Sequence, residues 1–120
     1  MKNKTLVLGA SENPGRYSNM AMLRLQAKGH DVVAVGKQAG NVNGIKIENK
    51  PVPSDEIDTV TLYLNPDNQE AYYDYILGLK PRRIIFNPGT ENEELEQMAS
   101  KQGIKVQEAC TLVMLGTGQY

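Results

Sequence analysis

The chain has 120 residues, enough for one domain that buries roughly two-thirds of the surface its unfolded form exposes, and too few for a second. A net charge of −1 and an isoelectric point near 5.8 lack the basic excess that nucleic acid or an anionic membrane demands, so only a local basic site remains. One cysteine makes no internal disulfide, no apolar run nears the ~18 residues of a membrane span, Cys/His clusters for zinc are missing, and Met1-Lys2-Asn3-Lys4 does not read as a signal peptide; the expectation is a cytoplasmic protein.

Thr5-Leu6-Val7-Leu8 reads as a strand buried on both faces, since a half-solvated strand would alternate. Gly9 lets the backbone turn at its carboxyl end, and Ala10 and Ser11 leave room for a ligand to approach the peptide NH groups. The helix that follows points its unpaired NH groups and positive dipole end at this turn, which suits a phosphate, and Arg16 adds a charged donor. The spacing Gly9, Ser11, Gly15 departs from the dinucleotide fingerprint G-x-G-x-x-G: the loop is longer, a hydroxyl replaces the middle glycine, and Pro14-Gly15 inserts a turn.

Tyr17, Met20, Ala21, Leu23 and Ala27 recur at helical steps and mark the expected buried face, with Ser18 or Asn19 as a cap and Gly29 as the stop. Asp31 to Val35 is the second strand, completing a right-handed βαβ unit. Its tip, Gly36-Lys37-Gln38, lacks the carboxylate that would hold the ribose of NAD; a lysine there suits an extra ribose phosphate, as in NADP or coenzyme A. Residues 39–50 read as a loop with a short edge strand at Ile45-Lys46-Ile47, and Ser54 to Ile57 as at most one helical turn.

Thr59 to Leu64 is a central strand, after which Asn65 caps a helix with Pro66 in its first position. Ala71, Tyr72, Tyr75, Ile76 and Leu79 give that helix its buried face, and its tyrosines read as packing residues. Arg83 to Phe86 is the next strand, Asn87-Pro88-Gly89 a turn, and Thr90 to Glu93 has capping-box spacing before a helix that buries Leu95, Met98 and Ala99. Ile104-Lys105-Val106 is a short last strand, and Glu108 to Leu115 either a final helix or a buried extended segment. The alternation predicts a doubly wound, mostly parallel sheet in a three-layer α/β/α sandwich, with a ligand crevice at the strands' carboxyl ends, here near Gly9, Gly36, Asn65 and Asn87.

The pattern Gly-Ala-Ser-x-Asn-Pro-x-Arg from Gly9, then Gly29-His30 with Val32, Val33 and Val35, then Asn87 to Asn92 and a cysteine in the closing segment, resembles the small stand-alone CoA-binding proteins, which are similar to the N-terminal domain of the succinyl-CoA synthetase α subunit. The resemblance implies a single Rossmann-like domain that binds coenzyme A or an acyl-CoA. It implies that Gly9, Ala10 and Ser11 meet the pyrophosphate, and that Asn13, Arg16 and Ser18 clamp phosphate groups. Gly36 and Lys37 would flank the adenosine end, Leu64, Asn65 and Pro66 would lie along the ligand, and Asn87, Pro88 and Gly89 would stand further across. In the synthetase the phosphorylated histidine lies in a second domain; this chain has no room for one, so ligase activity is not implied.

Two reactive side chains need placing. His30, between a helix-ending glycine and a strand, reads as a solvated turn residue on the side away from the crevice. Cys110 would fall in the first turn of a closing helix, where the dipole favours thiolate and a mixed disulfide with the CoA thiol is reasonable chemistry, although Glu108 nearby opposes it and a buried inert cysteine is the commoner outcome. Ser11 has no histidine and carboxylate placed to form a triad. The expected function is therefore non-catalytic binding of coenzyme A or an acyl-CoA. The alternatives are an NADP-dependent oxidoreductase or accessory nucleotide-binding subunit using the same loop, and an interaction protein acting through a homodimer surface such as the apolar run Leu112 to Leu115.

Overall fold

The computed structural model describes residues 3–120. Its frame is a seven-stranded sheet: β1 (Thr5–Ala10), β2 (Val32–Gly36), β3 (Gly40–Val42), β4 (Ile45–Glu48), β5 (Thr59–Leu62), β6 (Arg83–Phe86) and β7 (Lys105–Glu108). The order across the sheet is β3-β4-β2-β1-β5-β6-β7, all parallel except the β3–β4 hairpin. The chain first winds outward from β1 through β2, then returns to the other side of β1 with β5, so strand order reverses between β1 and β5. At that reversal the connecting segments leave in opposite directions, and a crevice opens at the strands' carboxyl ends.

The helices α1 (Tyr17–Ala27), α2 (Pro66–Gln69), α3 (Tyr73–Gly78), α4 (Glu93–Lys101) and α5 (Thr111–Gly116) cover both faces; a single 3₁₀ turn, Glu70–Tyr72, separates α2 from α3. Alternation along β1 divides the core. Leu6 and Leu8 join Val60, Leu62, Ile84 and Phe86 beneath Ile76 of α3 and Leu95 of α4, while Val7 points to Met22 and Leu25 of α1 and Leu115 of α5. This is the three-layer, doubly wound architecture anticipated from the alternation of strands and helices.

Four local expectations are corrected. The face of α1 that enters the core is Ser18, Ala21, Met22 and Leu25; Tyr17, Met20, Leu23 and Ala27 are exposed. Small side chains at 18 and 21 let the helix lie close to the sheet, and polar Asn19 is buried because its Nδ2 donates to the Ser11 carbonyl at 3.0 Å. Arg16, not Ser18 or Asn19, occupies the cap position, with no side-chain capping bond. The 39–50 segment holds two strands, paired around Asn43 (φ 50°) and Gly44 (φ 88°), the left-handed pair that a tight hairpin needs. Finally, Asn92 and not Thr90 caps α4, accepting from the Leu95 amide at 3.2 Å, while the Thr90 hydroxyl turns back to the Asn87 carbonyl.

The closing segment is a helix, α5, and two of the residues expected to offer an apolar patch, Met114 and Leu115, are spent on the chain's own core; of that run Val113 is the exposed member. No helix among the described residues is long and apolar enough to cross a membrane.

Candidate ligand crevice

Gly9 and Gly36 shape the floor. Gly9 has φ +98°, and a Cβ on it would lie 2.9 Å from the Tyr63 carbonyl carbon, so only glycine lets β1 shift register between Leu8 and Ala10 while hugging the end of β5. The strand runs on to Ala10, so the turn begins at Ser11, two residues later than expected. A Cβ on Gly36 would stand 2.2 Å from the Ala10 carbonyl oxygen. Gly36 therefore packs under the loop instead of lining the crevice.

The loop from Ser11 to Arg16 is braced by its own side chains. Ser11 Oγ accepts from the Asn13 amide at 3.0 Å, Asn13 Oδ1 accepts from the Gly15 amide at 2.9 Å, and the Arg16 amide donates to the Asn13 carbonyl at 3.0 Å. These bonds use three of the loop's amides, those of Asn13, Gly15 and Arg16, but they leave the Ser11 hydroxyl proton and Asn13 Nδ2 as donors. At the start of α1 the amides of Tyr17 and Ser18 find no acceptor among the described residues, as the first turn of a helix dictates. The first turn of α1 carries no acidic residue, whereas α2 has Asp67 and α4 has Glu93, Glu94 and Glu96 there. An anion at α1 therefore meets no competing charge from the helix itself.

A crevice of about 700 Å³ opens above this floor. Its near wall is Gly9 to Asn13 with Arg16, Tyr17 and Ser18; Lys37 and Gln38 stand at the tip of β2; Tyr63, Leu64, Asn65 and Asn68 with Pro88, Gly89 and Thr90 form the far wall. The structure thus brings together Gly9, Ala10, Ser11, Asn13, Arg16, Ser18, Lys37, Leu64, Asn65, Pro88 and Gly89 of the expected site. Three expected residues stand outside it. Gly36 is the packing glycine already described, Pro66 is exposed at the outer start of α2, and Asn87 is buried beneath the wall. Asn87 Nδ2 donates to Thr61 Oγ1 at 2.6 Å and to the Leu62 carbonyl at 2.9 Å, and its Oδ1 accepts from the Thr111 amide at 2.8 Å, which joins β5, β6 and α5.

Residues that the sequence reading passed over include Glu12, Tyr17, Gln38, Tyr63, Asn68 and Thr90. Glu12 brings a carboxylate to the near wall, but Oε2 accepts from the Asn41 amide at 2.8 Å and the group sits against Gly40, so β3 holds it to one side. Only the pairing of that edge strand reveals this, and no local motif announces it. Burial pushes the Tyr63 hydroxyl up to about 12, against the lowering influence of the nearby Thr61 and Thr111 hydroxyls, which pair with each other at 2.8 Å; the Tyr63 hydroxyl itself is buried without a hydrogen-bond partner. Ion pairs among the described residues join Lys46 to Glu48 and Arg82 to Asp58, which leaves Arg16 and Lys37 without a carboxylate partner.

Cys110 stands at the cap of α5, one residue before its first turn, half-buried and outside the crevice lining. His30 lies at the opposite end of the sheet and is more engaged than a solvated turn residue. Its Nδ1 accepts from the Asn3 amide at 2.9 Å, its ring meets the edge of Tyr120 at 5.0 Å, and burial holds its pKa below the usual histidine range. A smaller groove of about 430 Å³ beside it is lined by Gln26, His30, Lys46 and Glu48 among others, and there the lysine is neutralised by its ion pair. No group of three or more His, Cys, Asp or Glu side chains suited to a metal ion occurs among the described residues.

Among solved structures, the chain is similar to a crystal structure of an uncharacterized protein, at 50% identity and a TM-score of 0.97, covering 100% of this chain and 99% of that one. It is also similar to a hypothetical protein from Pyrococcus horikoshii OT3 (26% identity, TM-score 0.86, 97% of this chain and 83% of that one) and to a conserved hypothetical protein from Pyrococcus furiosus (25% identity, TM-score 0.74, 88% and 91%). No curated protein matches the sequence. The family described as a CoA binding domain matches residues 3–116, nearly the whole chain and every wall of the crevice. The chain belongs to this CoA binding domain family.

Proposed function

We propose that the chain binds coenzyme A or an acyl-CoA in the crevice between β1 and β5, without catalytic machinery of its own. The observation that carries the reading is the convergence, at one strand-order reversal, of the unpartnered Tyr17 and Ser18 amides with two cations that have no carboxylate partner, Arg16 and Lys37. The donor set suits an anionic, elongated ligand: a pyrophosphate over the start of α1 gains about 0.3–1 kcal/mol from the helix end and more from Arg16, while Lys37 at the β2 tip meets the ribose phosphate. The crevice volume falls within the ~300–1,000 Å³ usual for small-molecule sites. Leu64 and Pro88 supply an apolar wall for the pantetheine arm, and the phosphates stay with the basic near side.

A thermal-shift and calorimetric titration tests the reading. CoA should raise the melting temperature and bind saturably; desphospho-CoA, which lacks the ribose phosphate, should bind roughly 2–5-fold more weakly, as an exposed charge pair allows. Arg16→Ala should weaken CoA about 3–10-fold with no change in the ligand-free melting temperature, because its side chain is exposed. Stabilisation by NADPH equal to or above that by CoA would overturn the assignment, since nothing in the fold or the comparisons favours NADP.

A further inference from the structure

The far wall of the crevice is made by two loops from different strands, and one buried side chain joins them. Gln69, the last residue of α2, is 0% exposed, although α2 is only one turn long and the backbone tightens into 3₁₀ geometry directly after it. Its Nε2 donates to the Leu64 carbonyl at 2.9 Å, in the loop after β5, and to the Thr90 carbonyl at 2.7 Å, in the loop after β6. Its Oε1 accepts from Asn92 Nδ2 at 2.9 Å; that nitrogen also donates to the Tyr73 hydroxyl at 2.8 Å, and Asn92 Oδ1 caps α4. Leu64 and Thr90 both line the crevice.

The chemistry of this seam is selective. Two carbonyl oxygens converge on one point away from water, and a group with two N–H donors satisfies both while its own oxygen takes the incoming N–H of Asn92. Ionised glutamate at this position would oppose both carbonyls with negative charge, and a hydrocarbon would leave both carbonyls unpaired and Asn92 with only its bond to Tyr73. We infer that Gln69 is the positioning residue of the far wall: it fixes the separation of the 63–65 and 88–90 loops, and with it the width of the groove that receives the ligand. The inference rests on the proposed binding role, since width matters only to something bound. Without Gln69 the two loops part, and a ligand has to order them on binding, which costs affinity.

Gln69→Met, which keeps the length of the side chain, and Gln69→Glu, which keeps its shape, test this together. At a temperature where circular dichroism shows each variant folded, loss of global stability leaves the dissociation constant unmoved, so affinity separates positioning from mere support. Both variants should bind CoA about tenfold or more weakly than the unmodified chain. For Gln69→Glu the deficit relative to the unmodified chain should shrink as the pH is lowered, because a protonated carboxyl regains one donor. Hydrogen exchange without ligand should accelerate in peptides spanning 63–69 and 87–92 together, and not in 9–18. Where both variants fail to fold, Gln69→Asn, one methylene short, serves in the same comparison. Unchanged CoA affinity in folded variants, or exchange unchanged in these two segments, overturns the inference. Coupled acceleration in a chain that does not bind CoA supports the positioning and contradicts the assignment of the ligand.

Discussion

At the scale of single residues, glycines and amides decide the shape of the crevice, and their roles differ in how much they show locally. Gly9 was read as a place where the backbone turns and Gly36 as a residue flanking the adenosine end, yet what requires glycine at each is a neighbouring strand: the Tyr63 backbone for Gly9 and the Ala10 carbonyl for Gly36. A glycine reserved for a ligand and one reserved for backbone look alike in a linear pattern, so Gly36 was assigned to the adenosine end when it packs beneath the loop. Gly36→Ala should lose about 2 kcal/mol or more in chemical denaturation, since its Cβ would collide with backbone that cannot yield. Tyr63→Phe should go the other way. Removing a buried hydroxyl that has no partner should raise stability by about 1 kcal/mol, measurable as a higher denaturation midpoint at constant slope. Asn87 was legible as a turn residue, but its occupation by Thr61, Leu62 and Thr111 depends on contacts from three distant elements that no single stretch displays.

At the scale of elements, strands were easier to read than helix faces. Long apolar runs such as Leu6 to Leu8 and Ile84 to Phe86 have one plausible fate in a parallel sheet, burial on both sides. The face of α1 was misread because apolar Tyr17, Met20 and Leu23 outweigh the small and polar residues at 18, 19 and 21, while the docking is governed by closeness to the sheet and by the bond from Asn19 to the loop. Asn43-Gly44 carries the hairpin signal in plain form; the alternation of Ile45 to Ile47 after it was read as a short edge strand, while the three residues of β3 before it gave too little alternation to register. The α4–β7 contact makes a prediction at this scale. Burial raises the Glu96 carboxyl above its ordinary value, and Glu108 on β7 adds to the rise. A raised carboxyl stabilises the fold below its unfolded pKa, and the contribution is lost as pH rises through the folded one. Glu96→Gln, fixed in the neutral form, should therefore be more stable than the unmodified chain at pH 7. The advantage should shrink towards pH 4, as read from denaturation curves across that window. Asp58 has the opposite sign: its bonds from Arg82 hold it below the ordinary carboxylate range, so its contribution is present at neutral pH and lost in acid.

At the scale of the whole molecule, function follows from where strand order reverses. A chain that winds outward from β1 in one direction and then in the other must leave an opening above the β1–β5 boundary, and the long loop after β1 places the start of α1 beside it. That much was readable from alternation and from the Gly-Ala-Ser loop. The far wall was read only in part, since Leu64, Asn65, Pro88 and Gly89 were named but Gln69, which joins them from within, was not. A buried glutamine in a short helix has no motif, and its significance appears only when the loops after β5 and β6 are seen to converge on it. The charge distribution completes the picture at this scale: with an overall charge of −1, attraction for an anion depends on where cations are left unpaired, and Arg16 and Lys37 share one crevice while Lys46 in the smaller groove is neutralised.

The most direct test is to map CoA onto the backbone amides of the ¹⁵N-labelled chain by two-dimensional NMR. Saturable shifts should be largest at Ser11 to Asn13 and at Tyr17 and Ser18, with Lys37, Gln38 and the 64–68 and 88–90 segments moving in step along one binding curve. Shifts that do not saturate, or that gather around Gln26, His30 and Lys46 at the other groove, would contradict it.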